Sequence, residues 1–413
     1  MNFISNFKKQ KLLNLELVFI SLMILSLPSL EAPKNIFLIL FVVIATFRQF
    51  FSLKAKIWRA WDWIFASIIF SGFLSTIFAG ISHGDEWKGF RVLLTFIAVG
   101  WLIYRSGYTN KQIGWIFLLT ILSTFPPLIL GLWDLFISHS RDSLQLHSVG
   151  HVNHSAIYLS IIFGASLGWS ISFWSSSSAI KKVFLYIMPI CFYISIVISE
   201  SRAAFGASIL IAFFIFFKMT DRRKILIAGV SSLLIICFVA AIFNASIFQK
   251  QIRYQKSNNV LSGRSEIWNT TIEASRFSPL LGIGIDNRAN VTKFDIQRSV
   301  ENRGQFFDEK KYDFHYKHAH SFYLTQLCER GIVGSLATLF FIVFWLRDLI
   351  SSRLESIRSK QGLYLLSGSL SAWIATFGIG FVNTTFHHEH GILACLFLGL
   401  HLTFLHNKRL KVK

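Results

Sequence analysis

The chain has 413 residues and a formal net charge of +20, with 53% hydrophobic and only 15% charged residues. A soluble protein carries about 25% charged residues, so this composition excludes a soluble protein. Nucleic acid is not an expected partner, because the basic residues lie mostly in short connections between apolar blocks. Blocks of about 20 apolar residues cross a bilayer as helices. The composition therefore predicts an all-α polytopic membrane protein.

About twelve apolar blocks predict as many transmembrane helices. In chain order they lie near 14–30, 35–51, 62–82, 89–105, 112–137, 154–174, 182–199, 202–217, 224–243, 320–347, 363–383 and 390–406. One long polar loop separates the ninth helix from the tenth. The predicted domains are therefore helices one to nine (1–243), the loop domain (244–319) and helices ten to twelve (320–413). Within the tenth block, a short interfacial helix over 320–329 is expected to continue into the membrane after Gly331.

Lysine and arginine are concentrated at both termini and in every second connection. The short connections on the other side hold few basic residues: Lys34, Lys88, Arg91, Arg141 and Arg202. Short cytoplasmic segments carry the excess of basic residues in membrane proteins, so both termini are predicted to be cytoplasmic. The loop domain is then predicted to face the periplasm from a bacterial inner membrane.

The loop domain ends in two histidines, His318 and His320, just before the tenth helix. A side chain at a helix start lies beside unpaired backbone N–H groups, where an anion also binds. An imidazole with the ordinary pKa of about 6.5 is mostly neutral at pH 7, as a general base must be. We predict that His320 is a general base and that His318 binds substrate or orients its neighbour. The alternative is interfacial placement without a catalytic role.

Two arginines, Arg202 and Arg264, lie at the outer ends of other segments. Arg202 follows a very short turn between helices seven and eight, and Arg264 follows Gly263 ahead of a helix predicted over 265–275. The apolar face of that helix consists of Ile267, Trp268, Thr271 and Ile272. A guanidinium binds two phosphate oxygens at once, so both arginines are predicted to bind an anion. The alternatives are a snorkelling arginine at 202 and a solvated one at 264.

Lys88 and Arg91 lie three residues apart near the outer end of helix four and share a helix face. Both are predicted to face an anionic substrate, and the alternative is interfacial snorkelling.

Two histidine groups precede helices six and twelve. The first consists of His147, His151 and His154, and the second of His387, His388 and His390. Histidines at such spacing bind zinc in some proteins, but neither group has an HExxH pattern or a cysteine partner. Three interpretations stay open: a metal site, the lining of a polar outer cavity, and plain interfacial placement. We expect no metal site and no cofactor.

The chain resembles the O-antigen ligase family, whose superfamily also includes O-antigen polymerases and bacterial protein O-oligosaccharyltransferases. His320-Ser321, nine residues, and then Gly331-Ile332-Val333-Gly334 fit the family signature of His, Asn/Ser/Gln, nine residues, Gly, two residues and Gly/Thr/Tyr. Ser201-Arg202-Ala203-Ala204 looks like the family's outer-face arginine segment. Gly263-Arg264, with Ile267-Trp268 after it, looks like its loop arginine.

Two weaker points of resemblance are Arg91, which stands where the family has a basic residue in its fourth span, and His151-Val152-Asn153, a segment similar to one in the superfamily. Lys88 is an alternative match to Arg91. The resemblance also makes His151 and Asn153 candidates for substrate binding. The resemblance extends over nearly the whole chain, because it includes the number of spans and the loop between the ninth and tenth.

The resemblance implies a glycosyltransferase that acts on the periplasmic face. The implied donor is an O-antigen polysaccharide on undecaprenyl pyrophosphate, and the implied acceptor is the lipid A–core of lipopolysaccharide. Arg202 and Arg264, supported by Arg91, suit the charge that develops on the pyrophosphate, and His320 suits proton removal from the acceptor hydroxyl. No nearby pair of carboxylates suggests a retaining double displacement. We therefore predict an inverting, metal-independent transferase.

Other functions remain possible from the residues alone. An O-antigen polymerase and a protein O-oligosaccharyltransferase use the same donor, so the donor-side arginines do not distinguish them from a ligase. A transporter of lipid-linked sugars is the non-enzyme alternative. Transporters place polar residues near the bilayer midplane on broken helices, whereas the candidates here cluster at one predicted face.

Overall fold

The computed structural model describes residues 2–51, 57–81, 84–146, 152–219, 229 and 263–412. Within these ranges every regular element is a helix, as predicted. The α-helices are α1 (Asn2–Ser26), α2 (Glu31–Phe51), α3 (Ala60–Ile77), α4 (Asp85–Arg105), α5 (Asn110–Leu122), α6 (Phe125–Phe136), α7 (Val152–Phe173), α8 (Ala179–Ile198), α9 (Arg202–Met219), α10 (Arg264–Ser275), α11 (Lys293–Glu301), α12 (Phe322–Ser351), α13 (Arg353–Ser356), α14 (Lys360–Trp373) and α15 (His388–Val412).

Among the described residues, eight helical segments are long and apolar enough to cross a membrane, so the chain is a multi-pass membrane protein. These segments are Glu31–Phe50, Ala60–Ile77, Asp85–Arg105, Asn110–Phe136, Val152–Ser176, Ala179–Ile198, Phe322–Ser351 and His388–Leu410. Arg202–Phe217 is a shorter apolar helix. The predicted ninth span, 224–243, lies outside the described residues except for Gly229. The count of twelve spans therefore stays a prediction.

The fifth predicted span is two helices, because the chain breaks after Leu122 and resumes as α6 at Phe125. Prolines occupy the first turn of α6, at Pro126 and Pro127. Proline has no backbone N–H. In the first turn of a helix this is tolerated, because an N–H there would have no partner within the helix. The break therefore has a local cause in the sequence.

The core of the bundle is built on α7 and α15, whose spanning segments are 83% and 94% buried. Small residues let neighbouring helices approach them closely. A Cβ at Gly164 or Gly168 of α7 would collide with Ser371 or Ser367 of α14, and one at Gly100 of α4 would crowd Cys395 of α15. Interfaces of small residues are typical of helices that pack within a membrane, where apolar burial alone does not drive association.

Helix α12 is broken at Gly331, whose φ of 61° and ψ of −163° are not helical. The predicted break after an initial helix at this glycine is confirmed. Gly331 also passes so close to the backbone of Leu280 that a Cβ would collide with its carbonyl group. Only glycine accepts both the left-handed φ and this approach.

The segment 279–284 of the loop domain inserts at the break in α12. Its Pro279 and Leu280 carbonyls accept from the N–H groups of Ile332 and Val333, at 2.9 and 3.1 Å. In return its Ile283 and Gly284 N–H groups donate to the carbonyls of Cys328 and Glu329, at 2.9 and 3.1 Å. These are backbone groups that an unbroken helix would pair with each other. The insertion satisfies them where lipid offers no partner and ties the loop domain to α12.

Candidate active site

Five helices, α4, α7, α9, α12 and α15, begin at one end of the bundle. Helix α9 runs parallel to α7, since Ser160 of α7 donates to the Ala204 carbonyl at 3.4 Å and Gly164 lies against Ile211 further along both helices. Helix α15 begins beside α7, since the rings of His388 and His154 have centroids 5.3 Å apart. We call this end the site end.

Helices α4 and α12 also begin at the site end. The Phe322 N–H, at the start of α12, donates to the carbonyls of Gly380 and Asn383 just before α15, at 2.7 and 3.0 Å. At the start of α4, Asp85 accepts a hydrogen bond of 3.2 Å from Asn290 of the loop domain. The positive ends of the helix dipoles are therefore directed toward the same side of the bundle, which favours an anion there.

Five histidines from three parts of the chain form a cluster at the site end, which we call the histidine cluster: His154, His318, His387, His388 and His390. Ring centroids of His387 lie 4.8 Å from His154, 4.3 Å from His388 and 5.0 Å from His390. The His318 ring stacks on His387 with centroids 5.9 Å apart. The described members of the two histidine groups, which are far apart in the sequence, therefore belong to a single cluster.

Desolvation lowers the pKa of His318 below the ordinary value of 6.5, and the nearby Asp286 carboxylate partly offsets this effect. Desolvation and the neighbouring histidines hold the pKa of His387 well below 6.5. Nε2 of His387 donates to the Thr384 carbonyl at 2.8 Å, which suits the neutral ring. Both imidazoles are therefore neutral at pH 7.

A cavity lies beside the histidine cluster, lined by Pro28, Leu146, His154, Ser155, Tyr158, Glu389 and His390. Lys34 forms a buried ion pair with Glu389 at its edge. Among the described residues, no hydrogen-bond partner reaches the other Glu389 oxygen, Oε2, or Nε2 of His390, and both atoms are buried. No group of three histidine, cysteine or acidic residues in the described ranges is arranged to hold a metal ion. The geometry favours the polar-cavity interpretation of these histidines.

His320, the predicted base, occupies a left-handed backbone conformation with φ of 47°. The next residue, Ser321, caps α12 by accepting from the Leu324 N–H at 3.5 Å. Glu200, Asp286 and His388 at the same end also have positive φ. Such conformations are unfavourable for residues with a Cβ and concentrate at functional sites. The strained residues therefore mark the same region as the sequence motifs.

Arg202 and Arg264 are each the first residue of a helix, α9 and α10, and both are partly buried. Arg202 follows the left-handed Glu200, and Arg264 follows Gly263, whose φ is 75°. The predicted helix after Gly263 is confirmed, but its buried face differs from the predicted one: Ile267, Thr270, Thr271 and Ala274 are buried, whereas Ile272 is 40% exposed. Helix α10 packs against α12 and the loop domain instead of presenting a simple apolar stripe.

The remaining predicted residues have different surroundings. Lys88 and Arg91 lie on the exposed face of α4, whereas Asn153 is partly buried in the first turn of α7. His151 lies outside the described residues. Ring contacts thus join the histidines directly, whereas the five described basic and amide candidates lie in the first two turns of α4, α7, α9 and α10.

The sequence motifs did not identify Arg288, which is 1% exposed. Its guanidinium donates to the Thr271 hydroxyl at 3.1 Å and to the carbonyls of Tyr316 and Asp313 at 3.2 and 3.4 Å. It therefore holds the segment that leads to His318 and His320 against α10. No local pattern around Arg288 distinguishes it from a solvated loop arginine, so only the tertiary contacts reveal it.

A family model described as O-Antigen ligase matches residues 187–339. This segment is an O-antigen ligase family domain. The family domain begins within α8 and ends within α12, so it contains Arg202, Arg264, His320 and Gly331. The resemblance found from the sequence is confirmed for this segment. No curated protein matches the chain.

The O-antigen ligase family domain does not include the whole candidate site. His154, the histidines that precede α15, and the basic residues of α4 lie outside the matched segment. The histidine cluster nevertheless joins the domain's His318 to His154 and His387. The site is therefore completed by helices from both sides of the matched domain.

Proposed function

We propose that the protein is an O-antigen ligase. It transfers O-antigen polysaccharide from undecaprenyl pyrophosphate to the lipid A–core of lipopolysaccharide on the periplasmic face of the inner membrane. The observation that carries the proposal is that Arg202, Arg264 and His320 all begin or precede helices of one matched family domain. The histidine cluster and the shared end at which α9 and α12 begin support it.

In the proposed reaction, a hydroxyl oxygen of the core sugar attacks the anomeric carbon of the donor. The bond from that carbon to the pyrophosphate oxygen breaks, and undecaprenyl pyrophosphate leaves with the electron pair. His320 takes the proton of the attacking hydroxyl, a contribution of about 10²–10⁴-fold. A single displacement of this kind inverts the anomeric centre. The scheme uses no metal and no cofactor.

The cations provide the electrostatic part of the proposal. Arg202 and Arg264 stabilise the charge that develops on the leaving pyrophosphate. Lys88 and Arg91 bind the same donor from the exposed face of α4. His318, His151 and Asn153 complete the substrate contacts. Both substrates are amphiphiles, which explains why a site at the ends of membrane helices suits them.

The direct test uses the purified protein in detergent with lipid-linked O-antigen and lipopolysaccharide that carries an unmodified core. Transfer should occur, and His320→Ala should lower its rate by at least about 100-fold. The matched control is His315→Ala, because His315 is a loop histidine whose side chain is 91% exposed. Transfer that survives His320→Ala, or fails equally in His315→Ala, would remove His320 as the base.

A genetic test distinguishes a ligase from a polymerase. Deletion of a ligase should remove all O-antigen from the core while lipid-linked polymer accumulates. A polymerase deletion instead leaves a single repeat on the core. The lipopolysaccharide gel of a deletion strain therefore decides between the two, and an unchanged gel contradicts both.

A further inference from the structure

Tyr316 is an aromatic residue four positions before His320. Its side chain is 51% exposed. Its ring centroid lies 5.3 Å from that of His320, and the two ring planes are nearly perpendicular, at 78°. An exposed aromatic face is thus available directly beside the proposed base.

The backbone that presents Tyr316 is held firmly. The buried Arg288 guanidinium donates to the Tyr316 carbonyl and, three residues earlier, to that of Asp313. The Thr270 hydroxyl of α10 is also within 3.0 Å of both the N–H and the carbonyl of Asp313. On the other side of Tyr316, Ala319 is fully buried and His318 stacks on His387. The exposed ring is therefore carried by a fixed segment, which lowers the entropy lost when a ligand binds to it.

A pyranose ring is the chemical class that fits this position. One face of a pyranose presents C–H groups, whose partial positive charge is attracted to the negative face of an aromatic ring. The hydroxyls lie around the rim of the sugar. A sugar that lies on the Tyr316 ring consequently has its rim near His320.

We propose that Tyr316 is the stacking surface for the acceptor sugar of the core. This inference rests on the proposed function, because it takes His320 as the base. A general base must lie about 2.6–3.2 Å from the hydroxyl that it deprotonates, so the sugar that bears this hydroxyl must occupy the space next to His320. The base acts on the acceptor, whereas the donor sugar is fixed by its pyrophosphate. Tyr316 therefore belongs to the acceptor subsite.

The experiment measures steady-state transfer by Tyr316→Ala and Tyr316→Phe with each substrate varied in turn. Tyr316→Ala should raise the KM for the acceptor about three- to tenfold, the range expected for one aromatic contact. The KM for the donor should not change. Tyr316→Phe should keep the wild-type value within about twofold, since the stacking face remains. The matched control is Phe306→Ala, which removes a 91% exposed aromatic side chain of the same loop.

A rise only in the donor KM, or an equal rise in Phe306→Ala, would overturn the assignment. A separate measurement keeps this inference distinct from the proposed function. Saturation-transfer NMR with free core oligosaccharide should show binding to His320→Ala and weaker binding to His320→Ala combined with Tyr316→Ala. If the wild-type protein transfers no sugar but Tyr316→Ala still weakens oligosaccharide binding in the NMR measurement, the proposed function fails and the sugar surface stands. If transfer occurs and neither assay responds to Tyr316→Ala, the sugar surface fails alone.

Discussion

Buried arginines at the two ends of the bundle have different partners. At the end opposite the site, Arg48 of α2 pairs with Glu16 of α1 and also donates to the Ser106 carbonyl at 2.9 Å. Tyr108 donates its hydroxyl to the same Glu16 at 2.6 Å. Arg105 pairs with the buried Asp62 at 3.0 Å in a similar arrangement. These two buried arginines, Arg48 and Arg105, are thus each paired with a buried carboxylate.

Toward the site end, two buried arginines are bonded to neutral groups. Arg288 donates to a hydroxyl and two carbonyls, and Arg330, 3% exposed, donates to Gln326, Ser71 and the Ile68 carbonyl. Within the described ranges neither forms an ion pair. The acceptors of these guanidinium groups carry no formal charge, and Nε of Arg330 is buried without a hydrogen-bond partner among the described residues.

The difference separates two uses of a buried cation. A carboxylate partner cancels the field of an arginine, so the pair fixes the packing of helices and is nearly neutral to a ligand at a distance. An arginine among neutral acceptors keeps a positive potential in a region of low dielectric constant, where it acts strongly on an anion. The site end is thereby suited to a phosphate-bearing substrate, and the opposite end to holding the bundle together.

The largest expected effect concerns activity at the site end. Arg202→Gln and Arg264→Gln should each lower the turnover number about 10²–10³-fold, the loss seen when one group that stabilises transition-state charge is removed. Thermal stability in detergent should change little. Arg141→Gln is the control, since Arg141 lies in a short connection and pairs with Asp134 at 3.6 Å. A similar loss of turnover in the control would mean that the effect is not specific to Arg202 and Arg264.

The next effect concerns stability at the opposite end. Arg48→Met should lower the free energy of unfolding by about 3–5 kcal/mol, because it leaves the Glu16 carboxylate buried without its cation. Adding Glu16→Gln should restore most of the loss, since the amide keeps an acceptor for Tyr108. Denaturant unfolding in mixed micelles measures both variants. If Arg48→Met unfolds like the wild type, the pair does not hold α1 to α2.

A backbone change tests the region between the two ends without altering any charge. Gly331→Ala should destabilise the protein by at least about 1–2 kcal/mol, the cost of a left-handed residue with a Cβ, with further loss from its contact with Leu280. It should also displace Arg330 and lower activity. Gly206→Ala is the control, because a Cβ there meets open space and should stabilise by about 0.4–1 kcal/mol. Equal stability of the two variants would mean that the break in α12 does not require glycine.

The smallest effect is a pH dependence that belongs to the site end. The depressed pKa of His387 means that the unfolded chain binds a proton near pH 6.5 while the folded protein does not. The free energy of unfolding should therefore fall as the pH drops below about 6.5, and this group should have no influence above that pH. His387→Gln keeps a donor for Thr384 and should flatten the slope of melting temperature between pH 6.5 and pH 5. An unchanged slope would assign the acid sensitivity to other groups.

The sequence was sufficient for elements whose cause is local. Apolar blocks located α2 to α4 and α15 within a few residues, and Gly331 located the break in α12. Pro126 and Pro127 also indicate the break between α5 and α6, but hydropathy averaged over a long window of residues does not resolve it.

Contacts between residues that are far apart in the chain could not be predicted from the sequence. Arg48 and Glu16 are 32 positions apart, and nothing in either segment indicates that they pair. The contact of His154 with His387, and the role of Arg288 in holding Tyr316, depend on how helices far apart in the chain pack. Motifs therefore identified candidate residues such as His320, but not the residues that hold the segment around it.

The insertion of segment 279–284 into α12 constrains how the protein is made. Four backbone hydrogen bonds, donated by the N–H groups of Ile283, Gly284, Ile332 and Val333, join the loop domain to α12. As α12 emerges from the ribosome it lacks these partners, and its exposed amides would be costly in lipid. Helix α12 is therefore complete only when segment 279–284 has docked at its break. With the proposed periplasmic orientation of the loop domain, its translocation and the completion of α12 become coupled steps of biogenesis.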